Sequence, residues 1–468
     1  MFMLYSSLLI APASSQCDES RQANNKHVVV FVFGDSVYDP VNNNYLYVNI
    51  EYRANFTPYG ESFFEYLTGR VCDGRTVPDF AAMYSNLPLW EPYLQPGSHN
   101  FSNGANFASA RAGVLQETDP DTVCKAFYSN ELLLFQYVRN SMLQHRFTSW
   151  FRIQQSFFKY PAGRFCDGRT ISDFAAMYLN LPLWEPYLQP GSHNFSNGAN
   201  FASAGAGVLE ETSPDRLYSQ KQLSYFKKVA NLLKQQLGDA EAKKILADAI
   251  YLSSFGGTDY ISFIQSFYNP TELQQRERVN MVIGNFTNVI KEIYEMGGRK
   301  FAFQNVGPLG CLPLMKQEFN PSGGACVEVL QAIASLHNSL LSNVTAELQS
   351  QLSGFKYVYF DFFNSLNDMK NYPKKYGFNV SDIACCGIGL DRGSDCGKVK
   401  EYKLCSDPNE YMYFDGGHQC EHANSILSNF LWNGGSNFTW PISMKQLYGL
   451  NSTIAIEILS EDKLSFSM

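Results

Sequence analysis

Four short, almost uninterrupted apolar runs recur along the 468-residue chain at His27–Phe33, Ile250–Phe255, Lys300–Val306 and Tyr357–Phe362, with long amphipathic stretches between them. Strands buried on both faces read this way, because neither face has to meet water and period-two alternation is lost. Runs of this kind alternating with helical patterns predict an α/β fold in which helices cover both faces of a parallel sheet. The helical pattern at 280–296 puts Val282, Phe286, Val289, Ile290 and Ile293 on one face and stops at Gly297-Gly298. That stripe reads as core and not as a binding groove.

Residues 61–121 recur at 155–215, offset by 94 positions, with 50 of 61 identical and a spacer at 122–154. Solenoids need about three or more stacked units, so one long block copied once excludes that architecture. A sheet offers one slot per strand. One copy is therefore expected to pack natively while the other, with the spacer, lies outside the core or stays partly disordered. A recent duplication and a repeated exon in the gene prediction are both open as origins, and either leaves a working unit of 374 residues.

With 45% hydrophobic and 17% charged residues the chain can bury a large core. A net charge of −8 and the lack of any Lys/Arg run exclude a nucleic-acid partner. Residues 1–15 pair a short apolar stretch with small residues at Ala11 and Ala13, which reads as a signal peptide without a basic start; an apolar N-terminal strand is the alternative. Asn-x-Ser/Thr sequons at Asn55, Asn100, Asn194, Asn285, Asn343, Asn379, Asn437 and Asn451 suit an exported glycoprotein. The expected organisation is a signal peptide at 1–15, one domain at 16–450 interrupted by the duplicated segment, and a tail at 451–468.

Eleven cysteines include a late group at Cys385, Cys386, Cys396, Cys405 and Cys420 whose spacing fits no zinc pattern, so disulfides are the better reading. An odd total leaves at least one thiol unpaired or bonded outside the chain. Past the first dozen residues no apolar stretch reaches the roughly 18 residues that span a bilayer. A soluble protein without stable membrane insertion is expected outside the cell or in the vacuole.

The first apolar run ends in Phe33-Gly34-Asp35-Ser36. Catalytic groups in open parallel sheets gather beyond the carboxyl ends of strands, which makes Ser36 a candidate nucleophile. Asp35 and Ser36 could equally cap the following segment. No G-x-S-x-G elbow occurs, against the ordinary α/β-hydrolase arrangement. Among the seven histidines, His418 has the best company: in Asp415-Gly416-Gly417-His418 a carboxylate stands three residues before an imidazole, and the glycines let the loop fold the acid back onto Nδ1. His99 and His193 read as surface residues of the two copies, and His337 and His422 as core or surface residues.

Taken together, these pieces resemble the plant GDSL esterase/lipase family of the SGNH hydrolase superfamily. The likeness rests on VFGDSVYDPVNNNYL, NFASAGAGVL (200–209), YLSSFGGTDYI (251–261), NVGPLGCLP (305–313) and EYMYFDGGH (410–418), in the family's order. It implies a three-layer α/β/α sandwich, hydrolysis of carboxylic esters of lipid or other acyl groups, a catalytic triad of Ser36, Asp415 and His418, and no cofactor or metal. The family's oxyanion glycine maps to Gly205 in the second copy and to Arg111 in the first, where a bulky side chain would crowd the hole. The family's oxyanion asparagine maps to Thr258, so the expected hole is Ser36, Gly205 and Thr258, with activity weakened by the shorter side chain. A catalytically silent glycoprotein that serves as a binding module is the alternative.

Overall fold

The computed structural model describes residues 29–39, 56, 58–59, 68–70, 73–76, 105–106, 162–164, 167–179, 181–184, 186–187, 195–204, 206–210, 212, 218–319, 324–397, 401–435 and 437–450. The expected signal peptide, the spacer, the tail, Gly205, Arg111, His99, His193 and the sequons at Asn55, Asn100, Asn194 and Asn451 lie outside them.

All four apolar runs form neighbouring strands of one sheet. We label its members in chain order: β1 (Val30–Gly34), β2 (Ala105–Asn106), β3 (Gly198–Asn200), β4 (Ile250–Ser254), β5 (Lys300–Gln304), β6 (Lys356–Phe360) and β7 (Thr439–Trp440). The order runs β7-β6-β5-β4-β1, with β2 and β3 both on the far side of β1, and every pairing is parallel except that of the edge strand β7. The register carries Phe31, Tyr251, Phe301 and Tyr357 into one row and Phe33, Ser253, Phe303 and Tyr359 into the next. One face is therefore largely aromatic. The intervening Val30, Val32, Leu252, Ala302 and Val358 project to the other face and are fully buried, so both faces are covered.

Helices α1 (Ile171–Tyr178), α2 (Ser219–Leu237), α3 (Gly257–Phe267), α4 (Glu272–Glu295), α5 (Glu328–Gln351) and α6 (Glu421–Asn433) supply most of the cover. The start of α4 is set by a capping box in which the Thr271 hydroxyl accepts from the Gln274 N–H and the Gln274 side chain accepts from the Thr271 N–H. Its expected stripe, Val282 to Ile293, is buried against the aromatic face. Phe226 of α2 meets Phe31, Phe33, Phe201 and Tyr251 with ring centroids 5.0 to 5.8 Å apart. Phe201 belongs to the second copy of the duplicated block.

Both copies address β1. Phe31 pairs with Ala105 of the first copy, and Val30 pairs with Gly198 of the second. Because Ala105 corresponds to Ala199, the two registers coincide, and one row of hydrogen-bonding groups cannot serve both at once.

The differences between the copies favour the second. The buried Ser172 hydroxyl bonds to Thr170 Oγ1 at 3.0 Å and to the Tyr38 carbonyl at 3.3 Å, and it accepts from Asn200 at 3.2 Å. Its counterpart Pro78 has no hydroxyl. Ile171 and Leu179, both buried, correspond to Val77 and Ser85. Losing a methylene costs about 0.8 kcal/mol, and exchanging a buried leucine for a small side chain costs about 2–5 kcal/mol. Excision of 61–154 is expected to leave a cooperatively folding protein, whereas excision of 122–215, which keeps the first copy, should give one less stable by at least about 3 kcal/mol. Urea unfolding of the two variants measures this, and equal midpoints and slopes would contradict it.

Candidate active site

The carboxyl ends of β1 and β4 carry the first two groups. Gly34 ends β1 and pairs with Ser254 in register; a Cβ on Gly34 would come within 2.8 Å of the Ser254 carbonyl oxygen, so glycine permits this approach. The buried Gln222 of α2 grips the exit with both amide atoms, accepting from the Gly34 N–H at 3.0 Å and donating to the Gly34 carbonyl at 2.9 Å. Asp35 Oδ1 accepts the Val37 N–H at 3.1 Å, and the Tyr38 hydroxyl donates to Gln304 Oε1 at 2.9 Å, which ties the turn to the end of β5. Ser36 sits half-buried inside this turn.

Thr258 is the second residue of α3, half-buried, just past the carboxyl end of β4. A Cβ on the preceding Gly257 would lie 3.9 Å from Asp35 Oδ2, so the two strand exits meet at the Asp35 carboxyl.

The 415–418 loop lies near enough for His418 to act on the Asp35 carboxyl. Asp415 Oδ1 accepts from His418 Nδ1 at 2.7 Å and from the N–H groups of Gly417 and His418 at 2.8 and 2.9 Å, the fold-back expected from the sequence. Gly416 lies against Gly393, and a Cβ there would overlap the Gly393 carbonyl oxygen. Tyr59 donates to Asp415 Oδ2 at 3.0 Å. That tyrosine precedes the first copy, and no periodicity or motif in the sequence singled it out.

Electrostatics separate the two carboxyls. Burial pushes Asp35 up to about 7; the Val37 N–H and the charge of His418 oppose this, and the charge of Asp259 adds to it. Burial also pushes Asp415 up, but the charge and hydrogen bond of His418, the Gly417 N–H and Tyr59 outweigh it and hold the group below its ordinary value. Asp415 is thus the anion beside the imidazole.

Of the other histidines described, His337 is fully buried, receives no ordinary charge because burial depresses its pKa to about 3, and shares a 2.6 Å hydrogen bond with Tyr260. His422 Nδ1 bonds to the Asn409 carbonyl at 2.9 Å. Both fit the roles expected outside the site. Among the described residues no group of three His, Cys, Asp or Glu is arranged to hold a metal, and no helix is long and apolar enough to cross a membrane.

Two buried carboxylates beside the site were not anticipated. Asp39 accepts the Ala204 N–H at 3.0 Å, and Asp259 accepts the N–H groups of Val208 and Leu209 and the Thr212 hydroxyl at 2.9, 3.5 and 2.9 Å. The late cysteines pair as Cys385–Cys405 and Cys386–Cys396, and Cys311 joins Cys326.

Comparison with known proteins gives a match of residues 147–431 to the family model described as GDSL-like Lipase/Acylhydrolase. The matched span contains the second copy and not the first, and it lies downstream of Ser36. A GDSL lipase of Tanacetum cinerariifolium is 35% identical over 92% of this chain and 90% of its own length. GDSL esterase/lipase 5 of Arabidopsis thaliana is 43% identical over 60% of this chain and 74% of its own. A protein named inactive GDSL esterase/lipase-like protein 25, also of Arabidopsis thaliana, is 34% identical over 66% of this chain and 73% of its own.

The Asp35 carboxyl makes stability depend on pH in a defined direction. Its folded value of about 7 lies above the ordinary 3.8, so its contribution is fully present below the unfolded value and is lost as pH rises toward 7. Asp35→Asn carries no titrating group. The Tm of this variant minus that of the wild type is expected to climb between about pH 4 and 7 and to level off beyond. Thermal melts across that range check this, and a constant difference would contradict it.

Proposed function

We propose, on the premise that the chain belongs to the GDSL-like lipase/acylhydrolase family and is a carboxylic ester hydrolase, that it is a secreted serine esterase or lipase working through Ser36, His418 and Asp415. The observation that carries this reading is the 2.7 Å bond from His418 Nδ1 to Asp415 Oδ1, on a loop near enough for His418 to act on Asp35, one residue before Ser36.

In this mechanism His418 Nε2 takes the proton of the Ser36 hydroxyl as its oxygen attacks the ester carbonyl. Asp415 fixes the tautomer and balances the imidazolium. The tetrahedral oxyanion rests on the N–H groups of Ser36 and Gly205, with the Thr258 hydroxyl as a third donor. Collapse breaks the ester C–O bond, and the imidazolium gives its proton to the departing alcohol. Water, deprotonated by His418, then releases the acid and restores the serine.

The substrate is a small-molecule carboxylic ester, of a lipid or another acyl group. Export is supported by the three disulfides and by exposed sequon asparagines at Asn343, Asn379 and Asn437. The extracellular space or the vacuole would receive such a protein.

Thr258 is the observation that favours the second reading, a catalytically silent glycoprotein serving as a binding module, since loss of one oxyanion donor typically costs about 10²–10³ in turnover. Fluorophosphonate labelling of the purified protein, with Ser36→Ala as control and peptide mapping of the adduct, decides between them. Labelling of Ser36 that vanishes in the control is expected; a folded protein that stays unlabelled would put the binding module first. Thr258→Asn is expected to raise kcat about tenfold or more, because a longer amide donor replaces the hydroxyl. Unchanged turnover in that variant would remove Thr258 from the oxyanion hole.

A further inference from the structure

The described residues before and after position 205 in the sequence bond to two fully buried carboxylates from different parts of the chain. On its amino side the Ala204 N–H donates to Asp39 Oδ2 at 3.0 Å, and Asp39 lies three residues past Ser36. On its carboxyl side the Val208 N–H donates to Asp259 Oδ2 at 2.9 Å, while the Leu209 N–H and the Thr212 hydroxyl donate to Asp259 Oδ1. Asp259 is also the residue after Thr258, in the first turn of α3, where the helix dipole favours an anion.

Each carboxylate therefore joins a backbone neighbour of one candidate oxyanion donor to the loop that carries another. We infer that Asp39 and Asp259 are positioning residues that tie Ala204, Val208, Leu209 and Thr212 to the Ser36 turn and to the start of α3, a placement on which the proposed oxyanion donors depend. The inference rests on the ester-hydrolase reading above and adds to it two residues that do not touch the substrate.

The chemistry of the acceptors makes the assignment specific. A carboxylate offers two accepting oxygens, and Asp259 uses Oδ2 for Val208 and Oδ1 for Leu209 and Thr212. An asparagine offers one oxygen and presents an NH2 group where the second was, facing a donor it cannot bond. Asp259 is costly to keep charged at this depth: burial pushes it up to about 6, against the pull of the Val208 N–H and the Arg278 charge. An acid used only to start α3 could sit at the surface, as Glu272 does in α4.

The test is kcat and KM for 4-nitrophenyl acetate and butyrate on the full chain, with active sites counted by fluorophosphonate titration so that unfolded protein is not scored. Asp259→Asn and Asp39→Asn are each expected to lower kcat per titrated site about 10–100-fold while KM stays within about twofold, since a misplaced oxyanion donor is felt in the transition state. Thr212→Val, which removes one hydroxyl at constant shape, should lower kcat about 3–10-fold. If Asp259→Asn does not fold, Thr212→Val and Asp39→Asn carry the decision.

Unchanged kcat per site in Thr212→Val or Asp39→Asn overturns the inference, as does a loss expressed mainly in KM. The ester-hydrolase reading fails separately, through activity that survives Ser36→Ala. In that case the positioning role falls with it.

Discussion

Parallel pairing of β1 with β4 is the constraint on which the rest depends. It places the exits of both strands at one edge of the sheet, and in open parallel sheets that edge is where the crevice for ligands forms. The pairing alone would leave the exit of β1 free to vary. Gln222 removes that freedom by bonding both polar atoms of Gly34, and Tyr38 removes more by bonding Gln304 at the end of β5. Ser36 thus lies on a turn anchored to three other elements, α2, β4 and β5, before any catalytic partner is considered.

Around that turn the chain keeps four buried carboxyls and gives each a different environment. Asp415 collects an imidazole, two backbone N–H groups and a tyrosine hydroxyl, and stays ionised. Asp39 and Asp259 take backbone and hydroxyl donors from the 204–212 segment. Asp35 is held protonated mainly by its burial, with the charge of Asp259 adding to it, and the single N–H it accepts, from Val37, does not offset this. Burial is common to all of them; the donors that each can reach decide which is an anion at neutral pH.

The strands, the α4 stripe and the Asp415–His418 fold-back were legible because each is written locally, as an unbroken apolar run, a helical period or a three-residue spacing with glycines. Strand β7 was not. Two residues, Thr439 and Trp440, pair antiparallel with β6, and two residues carry no period. Disulfide partners were equally hidden, since adjacent Cys385 and Cys386 leave sequence spacing unable to say which takes Cys396 and which Cys405. Tyr59, Asp39 and Asp259 were missed for a common reason. Each acts through a bond to residues more than 45 positions away, and a lone polar residue in a loop or first helical turn looks the same whether its partner is water or a distant amide. Competition between the copies could be anticipated from identity alone, but the advantage of Ser172 over Pro78 appears only once Tyr38 and Asn200 are seen to meet at its hydroxyl.

A second, smaller core explains how the 415–418 loop can be both glycine-rich and fixed. Cys385, Cys386, Cys396, Phe414 and Cys420 are buried together with Tyr59 and Ala204, apart from the main core. The N–H groups of Cys385 and Cys386 donate to the carbonyls of Tyr413 and Phe414, and the Phe414 N–H donates to the His418 carbonyl, closing the loop at its neck. Disulfides spanning 10 and 20 residues hold Cys386 and Cys385, whose N–H groups make that neck. Two glycines in a row would otherwise cost the loop its order. Because Ala204 and Tyr59 belong to this cluster, the cross-linked cysteines, the tyrosine that bonds Asp415 and the residue that bonds Asp39 share one support.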